Sequence, residues 1–400
     1  MTSRGKTLLF LAVTMFVFGR VAGMRELIMI GAALGLVLAV GAAAIWLRGG
    51  SVTVKRSIRP AVTVAGKPVR VELTMRAAGH LGAGPVLLTD EIPPRIGTSV
   101  RLSLASAAHR RERAVAYTFS PQLRGKYSIG PVTIVHTDPF GALKRTRTVR
   151  GTSSLLVYPS YEDVEALPAG VHRLGVIRHS PLVGQGDEFY ALRAYVDGDD
   201  LRKVHWPSSL RTGELVIKQE ELLAEPRALI VLDTCGGKHR GRAAGASIEA
   251  AISACASIAV LAVRKRMRVS IVTPDGPLFH GRRPNEHQIL EALATLRASR
   301  RRDIVAGVEQ SRTQARPAVT VVITPGVDGP ELKAIAVKAR GTAGGAVVLI
   351  DAPSFAPVSG GRRAPSVAPT MLGLPIVTLR AGQSFAAVWQ EVVRHALVAR

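Results

Sequence analysis

A chain of 400 residues has room for two or three domains, each with its own core. Its hydrophobic share of 47% and mean hydropathy of +0.21 predict that part of it lies in lipid, and its two cysteines, Cys235 and Cys255, supply neither a disulfide framework nor a metal spacing. The formal charge of +24 follows from arginine-rich usage and suits an anionic membrane surface as neighbour, whereas 4% aromatics and no nucleic-acid motif argue against nucleic acid.

Residues 1–50 read as a transmembrane hairpin. Thr7 to Ala22 is barely long enough to cross a bilayer, and Leu27 to Leu47 is a cleaner span of the ~20 residues a bilayer requires. Gly23-Met24-Arg25-Glu26 is the expected turn. Polar backbone in lipid must be paired, so both spans should be helical. Arg4 and Lys6 precede the hairpin, and Arg48, Lys55, Arg56 and Arg59 follow it, against Arg20, Arg25 and Glu26 at its turn. The positive-inside rule then puts both ends, and the domains beyond, in the cytoplasm. The competing reading is a secretory leader with Leu8–Phe18 as its core, disfavoured by the span that follows at once.

Residues 51–160 change period. Val52–Val54, Val69–Leu73, Ala114–Phe119, Val132–Val135 and Ser154–Tyr158 alternate as half-buried strands do, with Gly and Pro between them. Short strands separated by turns predict an antiparallel β-sandwich. Arg124-Gly125-Lys126-Tyr127 and Asp138-Pro139-Phe140-Gly141 are read as turns, with Tyr127 and Phe140 plugging the sandwich ends.

Residues 161–225 form a connector with an unusual centre. Nine acids and five bases fall between Asp187 and Glu225, an acidic island in a basic chain. Gly186, Glu188, Arg193, Tyr195, Asp199, Arg202, Trp206, Ser209, Arg211 and Gly213 make an ordered constellation. Its charges are expected to pair as an ion network, with Trp206 covering it and Tyr195 at its rim. An acid/base site using Asp199, His205 and Arg211 is the alternative.

Residues 226–400 alternate. Ala228–Leu232, Arg268–Thr273, Ala318–Thr324, Ala346–Ile350 and Ile376–Leu379 read as buried strands; Ala243–Arg266, Pro284–Arg300, Gly329–Ala339 and Ser384–Ala399 read as helices. This predicts a mainly parallel, Rossmann-like α/β domain. Ala243–Val263 is apolar enough for a third span, but its Glu249 and its place between strands favour a buried helix. No P-loop, G-x-S-x-G elbow, H-E-x-x-H or dinucleotide fingerprint occurs, so no catalytic residue and no cofactor is predicted.

The segment Gly186–Leu215, with Arg124–Tyr127 and Asp138–Gly141, resembles the signature of the domain of unknown function 58 family, departing from it at Pro207 and Leu210. The resemblance implies a bacterial membrane-anchored protein whose α/β domain is von Willebrand factor A-like. It implies a MoxR-type AAA+ ATPase as partner, often with a transglutaminase-like membrane protein. In such domains an Asp-x-Ser-x-Ser run holds a divalent cation through oxygen ligands. Here Asp233 remains, Cys235 and Gly237 stand at the serines, and Pro325 stands near a later aspartate, so the site is degenerate and no metal is expected. Thr234 and Thr324 are expected to line a polar mouth there. The implied role is a non-enzymatic adaptor that binds membrane lipid and a protein partner; the alternative is a hydrolase or ligand-binding enzyme using the signature carboxylates.

Overall fold

A computed structural model describes residues 1–47, 52–77, 86–104, 112–138, 140–168, 190–196, 199–220, 227–279, 284–301, 304, 319–325, 345–356, 370–371 and 374–398. Gly186, Glu188 and the helix expected over 329–339 lie outside the described residues.

Helices α1 (Ser3–Ala22) and α2 (Arg25–Leu47) are both long and apolar enough to cross a membrane. The turn is tighter than expected, because Arg25 and Glu26 belong to α2 and only Gly23 and Met24 connect the helices. Gly23 sits at φ 70°, the left-handed cap that a side chain would strain, and its N–H bonds the Gly19 carbonyl. The helices meet through small residues: a Cβ added at Gly31 would lie 2.8 Å from the Phe16 nitrogen.

The sandwich is built from β1 (Val52–Arg59), β2 (Val62–Val64), β3 (Val69–Ala77), β4 (Val86–Asp90), β5 (Val100–Leu104), β6 (Glu112–Phe119), β7 (Gly125–Ile129), β8 (Val132–Thr137), β9 (Lys144–Val149) and β10 (Ser153–Tyr158). Sheets of order β1-β3-β6 and β5-β4-β8-β9 are antiparallel, and a third, β2-β10-β7, contains one parallel pair. Alternate residues such as Val71, Leu73, Leu88, Ile134 and Leu155 fill the core. Inside it, Arg56 donates to Asp90 and to the Ile129 carbonyl at 2.8 Å, and the Tyr117 hydroxyl donates to Asp90 at 2.7 Å. Burial, then the bond to Asp90, pushes the Tyr117 phenol up. Tyr127 packs against the core as expected; Phe140 does not, being 49% exposed at the tip of its turn.

The third region has a seven-stranded mixed sheet, from β13 (Arg227–Leu232), β14 (Arg268–Thr273), β15 (Gly276–Pro277), β16 (Val319–Pro325), β17 (Gly345–Ile350), β18 (Thr370–Met371) and β19 (Leu374–Leu379). Its order is β15-β14-β13-β16-β17-β19-β18; the five inner strands are parallel and the two short edges antiparallel. Helix 247–264 runs through its core with Ala251, Cys255, Ile258 and Ala262 fully buried, as its small residues allow. Although apolar enough to span a bilayer, it packs as a core helix here. Helices 286–295 and 385–398 complete the layers.

Residues 158–167 pack into this core as well, through Tyr158, Val164 and Leu167. Glu162 caps helix 385–398, accepting from the Phe385 and Ala386 N–H groups at 3.1 and 3.0 Å and from the Ser384 hydroxyl. Burial opposes its charge, but those three donors outweigh it and lower its pKa.

Candidate functional site

Two places carry the residues singled out from the sequence. The first is the carboxyl edge of the parallel strands. In chain order those strands run 2-1-3-4-5 across the sheet, so the topological switch point lies between β13 and β16, where open α/β sheets recruit ligands. Asp233 stands there, fully buried. Its Oδ1 accepts the Cys235 N–H at 3.0 Å; its Oδ2 accepts the Thr324 hydroxyl at 3.0 Å and faces Lys238 Nζ at 3.3 Å.

The donor set does not suit a hard cation. Cys235 brings sulfur, Gly237 no side chain and Pro325 no ligating side chain. A lysine ammonium instead neutralises the carboxylate directly. No cluster of three metal-ligating side chains occurs among the described residues. Thr234 and Thr324 are both fully buried and so do not line an open mouth; the Thr234 hydroxyl has no hydrogen-bond partner among the described residues.

His239, missed from the sequence, locks this turn. Its Nε2–H donates to the Asp233 carbonyl at 2.9 Å and its Nδ1 accepts from the Ser247 hydroxyl at 3.0 Å, joining β13 to the start of the core helix. Burial lowers its pKa more than the Asp233 carbonyl and carboxylate raise it, so the neutral ring is favoured.

The second place is the signature. Strands β11 (Tyr190–Ala194) and β12 (Val216–Glu220) pair antiparallel, with Arg193 opposite Ile217, and carry the short helix α3 (Trp206–Thr212) between them. Several of the remaining motif residues have local tasks. The Tyr195 N–H bonds Leu215 at 2.9 Å. Asp199 Oδ2 accepts the Val196 N–H at 3.0 Å, closing its own turn. His205 caps α3 by accepting at Nδ1 from Ser208, and Gly213 ends it at φ 74°. Pro207, one of the departures noted above, sits in the first helical turn, where no N–H is needed. The buried Ser209 hydroxyl donates to His205 O at 3.1 Å and accepts from Val216 N–H at 2.9 Å, tying helix to strand.

Among the described residues, Arg202 and Arg211 do not join the expected ion network, and Glu188 lies outside those residues. Arg202 and Arg211 are exposed, and neither has an ion pair among the described residues. Trp206 is not the buried cover expected of it: it is 61% exposed. Asp199, His205 and Arg211 do not form an acid/base pair with one another, since Asp199 and His205 serve turn and cap while Arg211 points to solvent at the far end of α3. Beside these charges the hairpin exposes a run of apolar side chains. Val196, Leu201, Trp206, Leu210 and Leu215 are 61, 58, 61, 83 and 40% exposed. Beyond residues 1–47, the described residues hold three other exposed large hydrophobics, Val62, Leu87 and Phe140.

The turn motif Arg124–Tyr127 reaches from the sandwich to the α/β region. Arg124 Nε donates to Leu293 O and its Nη2 to Leu296 O, each at 2.8 Å, capping the end of helix 286–295, while Nη1 pairs with Glu249. Nothing local in the sequence shows that partner, which lies 169 residues on.

Residues 191–352 match the family model described as "Protein of unknown function DUF58". No curated protein matches the chain. Among solved structures, the CARDB domain of the PF1109 protein from Pyrococcus furiosus is similar at 16% identity over 28% of this chain and 94% of that one, with a TM-score of 0.20. The alkylpurine DNA glycosylase AlkC of Pseudomonas fluorescens is similar at 13% identity over 28% of this chain and 32% of that one, TM-score 0.17. The bacterial hydrophobin BslA is similar at 18% identity over 25% of this chain and 98% of that one, TM-score 0.16. This chain thus spans about a third of AlkC's length, and at such TM-scores none of the three bears on its fold or activity.

Proposed function

We propose that this chain, whose residues 191–352 are of the DUF58 family, is a membrane-tethered, non-enzymatic adaptor that docks a protein partner through the signature hairpin. One observation carries the reading: five large apolar side chains stand exposed within twenty residues of a hairpin in which Asp199, His205 and Ser209 bond to its own backbone. Monomeric surfaces seldom leave such a patch uncovered without a binding role. Trp206 and Leu210 on a short capped helix are anchors of the kind that dominate interfaces, and Arg202 and Arg211 beside them supply a polar rim.

The partner this reading favours is a MoxR-type AAA+ ATPase, as the family resemblance implies, met on the cytoplasmic side; a transglutaminase-like membrane protein is the companion it implies. The α/β region then serves as a von Willebrand factor A-like module whose cation position has been replaced by Lys238. Two apolar helices at the amino end support tethering. The test uses the full chain in detergent, immobilised and incubated with a purified MoxR-type ATPase. Wild type should retain the ATPase and W206A/L210S should lose at least nine-tenths of it. Equal retention by both would remove the hairpin from the interface; no retention by wild type would remove the ATPase.

A further inference from the structure

The anchor and the sandwich are joined at a second motif, and the joint leaves a groove. Thr2 caps α1 by accepting from the Gly5 N–H at 3.1 Å, and it binds the Asp138–Gly141 turn by donating its hydroxyl to Gly141 O at 2.8 Å and its N–H to Ala142 O at 2.9 Å. Asp138, buried, accepts from the Leu143 and Phe140 N–H groups at 2.6 and 3.2 Å, which fixes the turn. On the α2 side, a Cβ at Gly41 would lie 3.1 Å from Asp138 Oδ2, so α2 passes close over it.

Beside that joint, the last turns of α2 and the start of β9 enclose an open groove of about 780 Å³. One wall is Ala42, Ile45 and Trp46; the other is Leu143, Lys144 and Arg145. The two walls differ in chemistry. The first is the end of an apolar span, with Trp46 79% exposed, the place where tryptophan sits at a membrane–water interface. The second opens β9, a strand whose burial pattern leaves its first five residues exposed and which carries Lys144, Arg145 and Arg147. Arg4 reaches the same turn, its Nη1 3.8 Å from where a Gly141 side chain would begin.

We propose that this groove holds one anionic phospholipid, its acyl chains along α2 beside Trp46 and its phosphate on Lys144 and Arg145. This rests on reading α1 and α2 as a membrane anchor. The carbonyl end of α2 disfavours an anion, but that partial charge is screened in the wet headgroup layer, and two full positive charges stand at 144 and 145. A free phosphate could meet the same two cations, but it would leave the apolar wall without a ligand. The lipid satisfies both walls.

The test reconstitutes the full chain into nanodiscs of phosphatidylcholine carrying brominated phosphatidylglycerol or, separately, brominated phosphatidylcholine at equal mole fraction. Bromine quenches tryptophan it touches, and Trp46 is the tryptophan at the span's end. The brominated anionic lipid should compete for Trp46 with a preference on the order of tenfold, the size expected from two basic side chains near the surface. K144Q/R145Q should abolish the preference, while R101Q/R150Q, which removes equal charge elsewhere on the sandwich, should keep it. Equal quenching by both lipids in wild type, or loss of preference in R101Q/R150Q as well, would overturn the site. Preference erased by added inorganic phosphate at constant ionic strength would assign the cations to a free anion instead. No quenching by either lipid would show that Trp46 is not in a membrane at all, a failure of the anchor reading and not of the lipid preference.

Discussion

Replacing Arg124 with alanine tests how the sandwich is held to the α/β region. The side chain is 7% exposed and donates to two helix-end carbonyls as well as to Glu249. A hydrogen bond to a charged group is worth about 1.5–3 kcal/mol, and removing one member of a buried pair costs about 3–5 kcal/mol. Glu249 is 22% exposed, so it regains some water when its partner is gone, and the lower end applies, about 3 kcal/mol. The joint can be read locally by hydrogen exchange of the 286–296 amides in the full chain, held in detergent. A loss of that size speeds exchange on the order of 100-fold wherever opening limits it. Arg124→Lys keeps the charge but loses the fork, and should recover less than half. Exchange in Arg124→Ala within threefold of wild type, or full rescue by lysine, would refute the capping argument.

Three further outcomes follow. His239 has a folded pKa below its unfolded value of 6.5, so the unfolded chain takes up the proton first; stability should fall as pH drops below that value, and urea midpoints of H239Q should lack this slope. Gly31→Leu puts a side chain against the Phe16 backbone and should part the hairpin, read as faster cross-linking loss between cysteines placed at 12 and 31's neighbours than in Gly31→Ala. Lys238→Ala strips the cation from the buried Asp233 and should cost about 2–3 kcal/mol in thermal unfolding, with no rescue by magnesium, because sulfur, glycine and proline occupy the places that oxygen donors would need.

The sequence made the periodic parts legible. Apolar runs showed both amino-terminal helices, and alternation showed β1, β3, β6, β8 and β10, because a buried face leaves a period. Strand β9 reads Lys-Arg-Thr-Arg-Thr-Val and escaped notice, since an exposed edge has no apolar face to repeat. The helix expected to run to Arg300 stops at Thr295, where Arg124, 169 residues before Leu293, takes its end carbonyls. Glu162 capping helix 385–398 was invisible for the same reason. At the signature, residue types were legible and their roles were not. Charged residues at tight spacing suggested a network under a tryptophan cover, yet backbone turns absorb Asp199 and His205 and leave the aromatic outside.

The three motifs share a position in the architecture that no turn rule would give. Asp138–Gly141 lies where the anchor meets the sandwich, through Thr2; Arg124 lies where the sandwich meets the α/β region, through Leu293, Leu296 and Glu249. The hairpin with Trp206 is where that region offers apolar surface outward. Both joints include hydrogen bonds to backbone carbonyls, which fix direction as well as distance, and the second adds the Arg124–Glu249 pair and apolar contact through Tyr158. On the proposed function, a partner seated on Trp206 and Leu210 would be linked to the two apolar helices through these oriented polar contacts. Weakening the inner one at Arg124 should leave binding in detergent intact while uncoupling it from the anchor, which separates a tethered scaffold from a surface that merely binds.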